Sequence, residues 1–581
     1  MTRHQRLIRR RLWAGLIVIV AVFTIFGARL FQIQGIDSQA YATMAAESGT
    51  QTIAVPAPRG KIVDRNDVAL AANTAGMTLT ADPSMTRENA TEIARVLVDV
   101  FGDEIDYFDA VTKLRTPNSR FEYLIKKAPA WKAQDALDRI KEAGYVGVFG
   151  QKVSLRSYPG GTLAANLLGH LNDAGDGVGG LEQRYNSVLT GVDGSQTFEV
   201  SPTGQRIPQA ENTVKEMQPG GTVVTTIDRD LQWYADRRLA EAVKSASADW
   251  GLAITMDTQT GQIVQMSQAP TFNPDTGANQ NKSTTVSRAY QTVYEPGSVQ
   301  KSLTMAALAD RGKIRPDSKI VVPPSMTIDG FKISDYWKHG VLHLTAAGAI
   351  AQSSNLGVVV AAQALSDQQM HDALNRFGLG DKTGIDLPGE SAGLLPPASD
   401  WSDAKHATIA FGQGISVTAI QMLRAVGAIA NNGVMVEPTV VSATRTPQDG
   451  TSKVKTSKKR VMSEQASSSV TRMMEAVTAK NGTAHTAAIK GYRVAGKTGT
   501  AWRVNPDTGR YVKGQNTVSF IGFAPADNPR FITYVVLDKP HSNAGGGSTA
   551  GPVFSDIMSM ALERFGIPPT GSKPPKVPHK W

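Results

Sequence analysis

Residues 491–500 read GYRVAGKTGT, and the fold of the second half of the chain turns on whether this stretch is a loop or a strand. As G-x-x-x-x-G-K-T (Gly491, Gly496, Lys497, Thr498) it matches a phosphate-binding loop, and YVVLD, ending at Asp538, supplies the acidic strand end expected downstream. Such a loop needs a strand before its first glycine and a helix opening at Lys-Thr, because loop amides and the helix N-terminus together cradle the phosphates. Here Gly491 follows NGTAHTAAIK, which has no strand pattern, whereas YRVAG itself alternates. After Thr498 come Gly499, Arg503, Asn505 and Pro506, without helical period. The stretch is therefore predicted to be a strand bearing Lys497-Thr498-Gly499-Thr500, and nucleotide chemistry is set aside.

A Lys-Thr-Gly strand has a use in serine acyl transfer when Ser-x-x-Lys and Ser-x-Asn precede it. The chain holds three Ser-x-x-Lys matches, at Ser298, Ser402 and Ser452, and two Lys-Thr-Gly matches, at Lys382 and Lys497. Context separates them. In YEPGSVQKSLTMAALADRG, Ser298 follows a Pro-Gly turn and opens an apolar helix closed by Gly312, which puts Lys301 one turn on, on the same face. Ser402 lies in polar DWSDAKHA and Ser452 in a basic loop, while Lys382 follows a helix stopped by Gly378 and begins a turn-rich surface stretch. Between the survivors, LTAAGAIAQSSNLGVVV carries Ser353 and Asn355 at the end of a small-residue helical segment. A serine hydroxyl needs a base at neutral pH, and a lysine becomes one when burial or a neighbouring cation lowers its pKa. Lys301 has the position for that, and Lys497 supplies the neighbouring cation.

Outward from this set, EMQPGG followed by a β-branched run marks a boundary near Gly220, then a helix with Asp228 as N-cap and Leu231, Tyr234, Ala235 and Leu239 on one face. LAITMDTQTGQIVQM reads as a hairpin, and VSFIGFAP and FITYVVLD as two more strands. The C-terminal domain thus begins and ends in strands with helices between, an α+β arrangement of one antiparallel sheet with helices packed on it. Residues 51–220 read as short strands and turns, with a helix closed by Gly144 and a glycine-crowded stretch, GDGVGGLEQRYNSVLTGVDG, where turns should dominate. Residues 444–460 are polar and basic, a solvated loop or hairpin, and the Pro-rich tail GIPPTGSKPPKVPHK is expected to be disordered.

At 581 residues the chain calls for two or more domains. Of its net charge of +10, five positive residues are Arg3, Arg6, Arg9, Arg10 and Arg11, so the basic balance does not imply nucleic acid. Leu12–Ala28 follows without a charge, about 25 Å of helix at ~1.5 Å per residue, enough with its flanks to cross a bilayer. Arginines before it predict a cytoplasmic N-terminus, and the absence of a small-x-small site soon after Arg29 favours an uncleaved anchor. Zero cysteines exclude disulfides, thiol catalysis and Cys-based zinc sites. His339 and His343 have helical metal spacing, but Gly340 between them and the lack of a glutamate argue against zinc; no metal and no cofactor are expected.

Taken together, Ser298/Lys301, Ser353/Asn355 and Lys497/Thr498/Gly499 resemble the three motifs of a class B penicillin-binding protein, a monofunctional peptidoglycan D,D-transpeptidase. RGKIVDRN, with Asp67 where glycine is usual, RSYPGG, NLLGHL and GVGGLEQRYN resemble the family's N-terminal pedestal motifs, and AFGQGISVTAIQM the segment after the second motif. The resemblance implies a basic cytoplasmic tail (1–11), a transmembrane anchor (12–33), a β-rich dimerisation-type pedestal (34–220), a penicillin-binding/serine β-lactamase-like domain (221–565) and a tail (566–581). It implies catalytic roles for Ser298 as nucleophile, Lys301 as base, Ser353 as proton relay, Asn355 as orienter and Lys497 as cation. Thr498, Gly499 and Thr500 would line the bound substrate or β-lactam, with the backbone N–H groups of Ser298 and Thr500 as oxyanion hole. Implied partners are peptidoglycan stem peptides ending in D-Ala-D-Ala, β-lactam antibiotics, a membrane glycosyltransferase and other division proteins, at the cytoplasmic (inner) membrane with the catalytic domain outside. The septal type is favoured. An elongation-type transpeptidase, a D,D-carboxypeptidase, or a non-enzymatic β-lactam sensor or division scaffold are the alternatives.

Overall fold

The computed structural model describes residues 3–36, 50–199, 212–504, 508, 510–541 and 545–581. It divides into two compact units, 1–57 with 191–219, and 58–190 with 220–581. In the first, a helix spans Arg3–Phe31 and ends in a single wide turn, Gln32–Ile36. Within it Arg9–Gln34 has a mean hydropathy of 2.3 and no buried share, so its apolar surface is left for a bilayer, as a single-pass anchor requires. The same unit holds a three-stranded antiparallel sheet of Thr50–Val55, Gly194–Glu199 and Asn212–Lys215.

Among the described residues, the second unit contains two large sheets and four two-stranded ribbons. In the first, Ala69–Ala81 lies between Glu122–Pro129 and Ile62–Val63 and also pairs with Val148–Ser157. The strand Thr222–Thr225, the first after Gly220, adds parallel to Ile62–Val63 and antiparallel to Val441–Thr446. Residues 444–460, read as a loop or hairpin, form an exposed hairpin on this sheet followed by Lys458–Arg460. The helix Ala130–Glu142 ends at Gly144, whose φ of +78° suits its stop role. The glycine-crowded stretch differs from expectation: it contains two short helices, Gly180–Arg184 and Asn186–Leu189. They form around Glu182, wholly buried, which accepts from Arg59 at 2.8 Å and Arg156 at 2.8 Å. Two guanidinium groups compensate a carboxylate that could not be buried alone.

The other large sheet is antiparallel in the order Ile263–Ala269, Trp250–Asp257, Phe531–Asp538, Tyr511–Ala524, Ala495–Val504. Trp250–Asp257 and Phe531–Asp538 are buried at every position, which demands helices on both faces. Arg229–Ala246 and Gly546–Arg564 pack together against this sheet, and Gln300–Asp310, Ala419–Ala430 and Glu464–Thr478 form a second, mutually packed group on it. Asp228 caps Arg229–Ala246 by accepting from Leu231 N at 3.1 Å; of the face the periodicity predicted, Leu231, Ala235 and Leu239 are buried and Tyr234, at its margin, is half-buried.

Three expectations are corrected. The domain ends in a helix, Gly546–Arg564, not a strand; Arg238 ties Asp556 at 2.6 Å and Arg564 ties Asp228 at 3.1 Å, fixing the two helices together. GYRVAG enters its strand only at Ala495, since Gly491 at φ +87° turns the chain first. The Pro-rich tail is ordered against the domain. Thr345 N donates to His579 O at 3.1 Å, Thr345 Oγ1 to Pro578 O at 2.5 Å and Trp581 Nε1 to Leu344 O at 3.1 Å. The Trp581 ring lies 4.7 Å from that of His343, with Lys319 Nζ 4.5 Å above it.

Candidate active site

Ser298 sits half-buried in the 3-10 turn Gly297–Val299, which runs into the helix Gln300–Asp310 and so places Lys301 on its first turn. The turn is wedged between two backbones. Gly297 adopts φ +54°, and a Cβ there would stand 2.7 Å from Thr500 O; a Cβ on Gly412 would stand 2.1 Å from Gly297 O. Gly297 N donates to Gly412 O at 3.0 Å, so the AFGQG segment braces the nucleophile turn from one side and the Lys497 strand from the other. Neither contact survives a side chain at these glycines.

The second motif lies at a break between helices. Ala346–Ala351 ends, Ser353 takes φ +57°, and Asn355–Ala362 begins with Ser354 as N-cap, its hydroxyl accepting from Gly357 N at 2.9 Å. The break turns Ser353 and Asn355 toward Lys301, whose Nζ donates to Ser353 O at 2.6 Å, Asn355 Oδ1 at 2.7 Å and Ser353 Oγ at 3.4 Å. Lys497 Nζ donates to the same Ser353 Oγ at 2.8 Å, and to Thr498 O and Oγ1 at 3.1 and 3.2 Å. One hydroxyl therefore bridges two lysines that are both wholly buried. Ser298 Oγ is not among the partners of Lys301; hydrogen bonds of this kind tighten only with substrate in place.

Burial of the ammonium pushes Lys301 down to about 7, with Asp335 acting in the opposite sense. Burial, and then the neighbouring Lys301, hold Lys497 well below the usual lysine range. An amine near 7 is partly neutral at neutral pH and can take a proton, which is what a serine nucleophile needs. The structure thus brings Lys301, Ser353, Asn355, Lys497 and Thr498 into one hydrogen-bonded group beside Ser298. Gly499 and the exposed Thr500 continue along the edge strand.

The rejected matches have other uses. Ser402 caps the helix Asp403–Ala410, accepting from Lys405 N at 3.3 Å; Ser452 and Lys382 are exposed. His343 is on the strand Leu342–Thr345 and His339 on the loop before it, so they do not share a helix face. Two site residues escaped the sequence reading. Asp335 is a buried carboxylate that accepts from Asn355 N, Leu356 N, Ser354 Oγ and His339 Nε2. Glu295, three residues before Ser298, accepts from Gly414 N at 2.8 Å and Tyr511 Oη at 3.1 Å, and burial raises its pKa. A single acid in a turn-rich stretch gives no periodic or motif signal; only its tertiary partners reveal it.

Comparison with known proteins finds relatives over nearly the whole chain. Residues 251–559 match the penicillin binding protein transpeptidase domain, and residues 54–225 the penicillin-binding protein dimerisation domain. The penicillin-binding protein PbpB of Mycobacterium tuberculosis is 34% identical, with 95% of this chain and 85% of that protein covered. The peptidoglycan D,D-transpeptidase FtsI of Escherichia coli is 32% identical over 89% of this chain and 86% of its own length. Among solved structures, penicillin binding protein 3 of Mycobacterium tuberculosis complexed with aztreonam has a TM-score of 0.70 at 31% identity, covering 91% of this chain and 100% of that one. By sequence and by fold, the chain belongs to the family of penicillin-binding proteins with a transpeptidase domain.

Proposed function

We propose that the chain is a membrane-anchored, serine-type D-Ala-D-Ala transpeptidase that cross-links peptidoglycan stem peptides through an acyl-enzyme on Ser298. Lys301 takes the Ser298 proton as Oγ bonds to the carbonyl carbon of the penultimate D-alanine. The developing oxyanion is held by the backbone N–H groups of Ser298 and Thr500. The C–N bond to the terminal D-alanine breaks, and the proton passes by way of Ser353 to that leaving amine. An amine of a second stem peptide then attacks the ester, and the same groups return the proton to Ser298. Lys497, Thr498 and Thr500 bind the terminal carboxylate of the donor, whose negative charge favours the protonated form of Lys497 again. A β-lactam acylates the same serine and stays.

The observation that carries this reading is the Ser353 hydroxyl shared by two buried amines, one of them a helical turn from Ser298. Likeness to the Escherichia coli D,D-transpeptidase and to the penicillin binding protein 3 complexed with aztreonam supports activity and inhibitor class. The roles divide as pedestal (34–220) and catalytic domain (221–565). Five arginines ahead of the apolar helix favour an N-terminus in the cytoplasm and a catalytic domain beyond the inner membrane. Septal wall synthesis is the setting proposed, with a membrane glycosyltransferase and division proteins as partners of the anchor and pedestal. Labelling with a fluorescent penicillin tests the site. The wild type should acquire a covalent label and Ser298→Ala none, and a label retained by Ser298→Ala would refute it.

A further inference from the structure

We infer that Asp335, braced by His339, is a positioning residue that aims Asn355 at Lys301; the inference rests on the acyl-enzyme reading above. Asp335 belongs to none of the three motifs. It lies on the loop between the hairpin strand Phe331–Ile333 and the strand Leu342–Thr345, and its side chain is wholly buried. Oδ1 accepts from Asn355 N at 2.5 Å and Leu356 N at 3.1 Å; Oδ2 accepts from Ser354 Oγ at 2.7 Å and His339 Nε2 at 3.0 Å. Four donors converge on one carboxylate, as burying a charge requires.

A plain helix cap would explain part of this, since Asn355–Ala362 starts here and an anion suits a helix N-terminus. That task is already done by Ser354, whose oxygen accepts from Gly357 N while its proton goes to Asp335. What Asp335 adds is the setting of residue 355. Asn355 is held through its backbone N by Asp335 and through Nδ2 by Ser334 O at 3.1 Å, which leaves Oδ1 as the group turned to Lys301 Nζ at 2.7 Å. The two neighbouring residues, Ser334 and Asp335, thus fix backbone and side chain of the same asparagine. The motif's alternation gains a reason: Ser353 and Asn355 face the lysines, and Ser354 between them faces Asp335.

The clamp also answers how Ser353 keeps φ +57°, a conformation a residue with a side chain holds only where its surroundings over-determine it. Just past Ser353, the next three residues are each tied to one carboxylate. His339 keeps that carboxylate in place from the far side, its Nδ1 lying 2.5 Å from Gly340 O and its ring 5.3 Å from that of Trp337. Two charged groups face the Lys301 amine: Asp335 from this loop favours its proton, and Lys497 from the edge strand is itself lowered by burial and by Lys301. Asp335 opposes the effect of burial on Lys301, so its charge has a chemical consequence beyond packing.

The test uses the full chain in detergent and the second-order rate of acylation by a fluorescent penicillin across pH, with thermal melting as a measure of folding. Asp335→Asn should slow acylation about ten- to a hundredfold, the usual cost of misplacing a reacting group by an ångström. It should also move the acid limb of the profile to lower pH, because the charge that holds the Lys301 proton is gone. His339→Gln keeps an N–H donor and should stay near the wild type, whereas His339→Phe should be slowed. An Asp335→Asn protein that melts normally and reproduces the wild-type rate and acid limb overturns the inference. If Asp335→Asn does not fold, equal rates for His339→Phe and His339→Gln overturn it instead. A wild type without label, or a labelled Ser298→Ala, would strike at the acyl-enzyme reading itself and is distinguishable from either result.

Discussion

Ser353→Ala removes the one oxygen that both buried lysines share. Lys301 would retain Ser353 O at 2.6 Å and Asn355 Oδ1 at 2.7 Å, and Lys497 would retain Thr498 O and Oγ1. Neither amine is stranded, so the fold should bear the change with a loss of about 1 kcal/mol, a few degrees at most in melting temperature for a protein this large. Catalysis is affected differently, because the lost hydroxyl is the route between Lys301 and the leaving group. A hydrogen bond to a charged group contributes about 1.5–3 kcal/mol, which as a barrier corresponds to about a 10- to 150-fold slower acylation. The assay is the second-order rate of fluorescent penicillin labelling for the wild type, Ser353→Ala, Lys497→Met and the double variant. Because Lys497 acts on the reaction partly through Ser353, the double variant should lose less than the product of the two single losses, a coupling of about 0.5–3 kcal/mol. Acylation of Ser353→Ala within about threefold of the wild type, or losses that multiply cleanly in the double variant, would refute the bridging role.

The pH profile of wild-type acylation gives a second check. Lys301 is lowered to about 7 by burial, and the base is its neutral form, so the rate should rise as pH rises through about 7 and fall away below it. A rate that is flat from weakly acidic to weakly alkaline pH would remove Lys301 from the role of base. Third, Ser402→Ala should label like the wild type, since this serine only caps Asp403–Ala410, and should lower stability by about 0.5–2 kcal/mol in thermal melting; a loss of label would reinstate the match that context rejected.

Much of the site was legible because its signals are local. A turn opening an apolar helix sets Lys301 one turn after Ser298, the end of a small-residue helical segment carries Ser353 and Asn355, and strand alternation separates Lys497 from a phosphate loop. What the sequence hid depends on distant partners. Asp335 reaches the second motif through Ser354, Asn355 and Leu356, 19 to 21 residues on, and its one partner within FKISDYWKHG, His339, does not announce that. The last helix was missed because Gly546, Gly547 and Pro552 argue against helix by propensity. Packing overrides them: a Cβ on Gly546 would stand 2.1 Å from Ser519 O and one on Gly547 2.0 Å from Thr483 O. The tail misled for the opposite reason. Proline removes donors but leaves carbonyls, and the carbonyl of Pro578 is one of those Thr345 uses.

That tail closes the two-stranded ribbon of Lys319–Val322 and Leu342–Thr345, with Leu344 bridging Lys580 antiparallel. Thr345 caps the helix that leads to Ser353, and its hydroxyl bonds a residue 233 positions later in the chain. A sheet edge left open is a template for pairing with other molecules, and here the chain covers it with itself. The ribbon has its full set of hydrogen bonds only with residues near Pro578 in place. The helix that leads to Ser353 is therefore held at its start by the far end of the chain, so the placement of the second motif is tied to contacts made by residues 578–581.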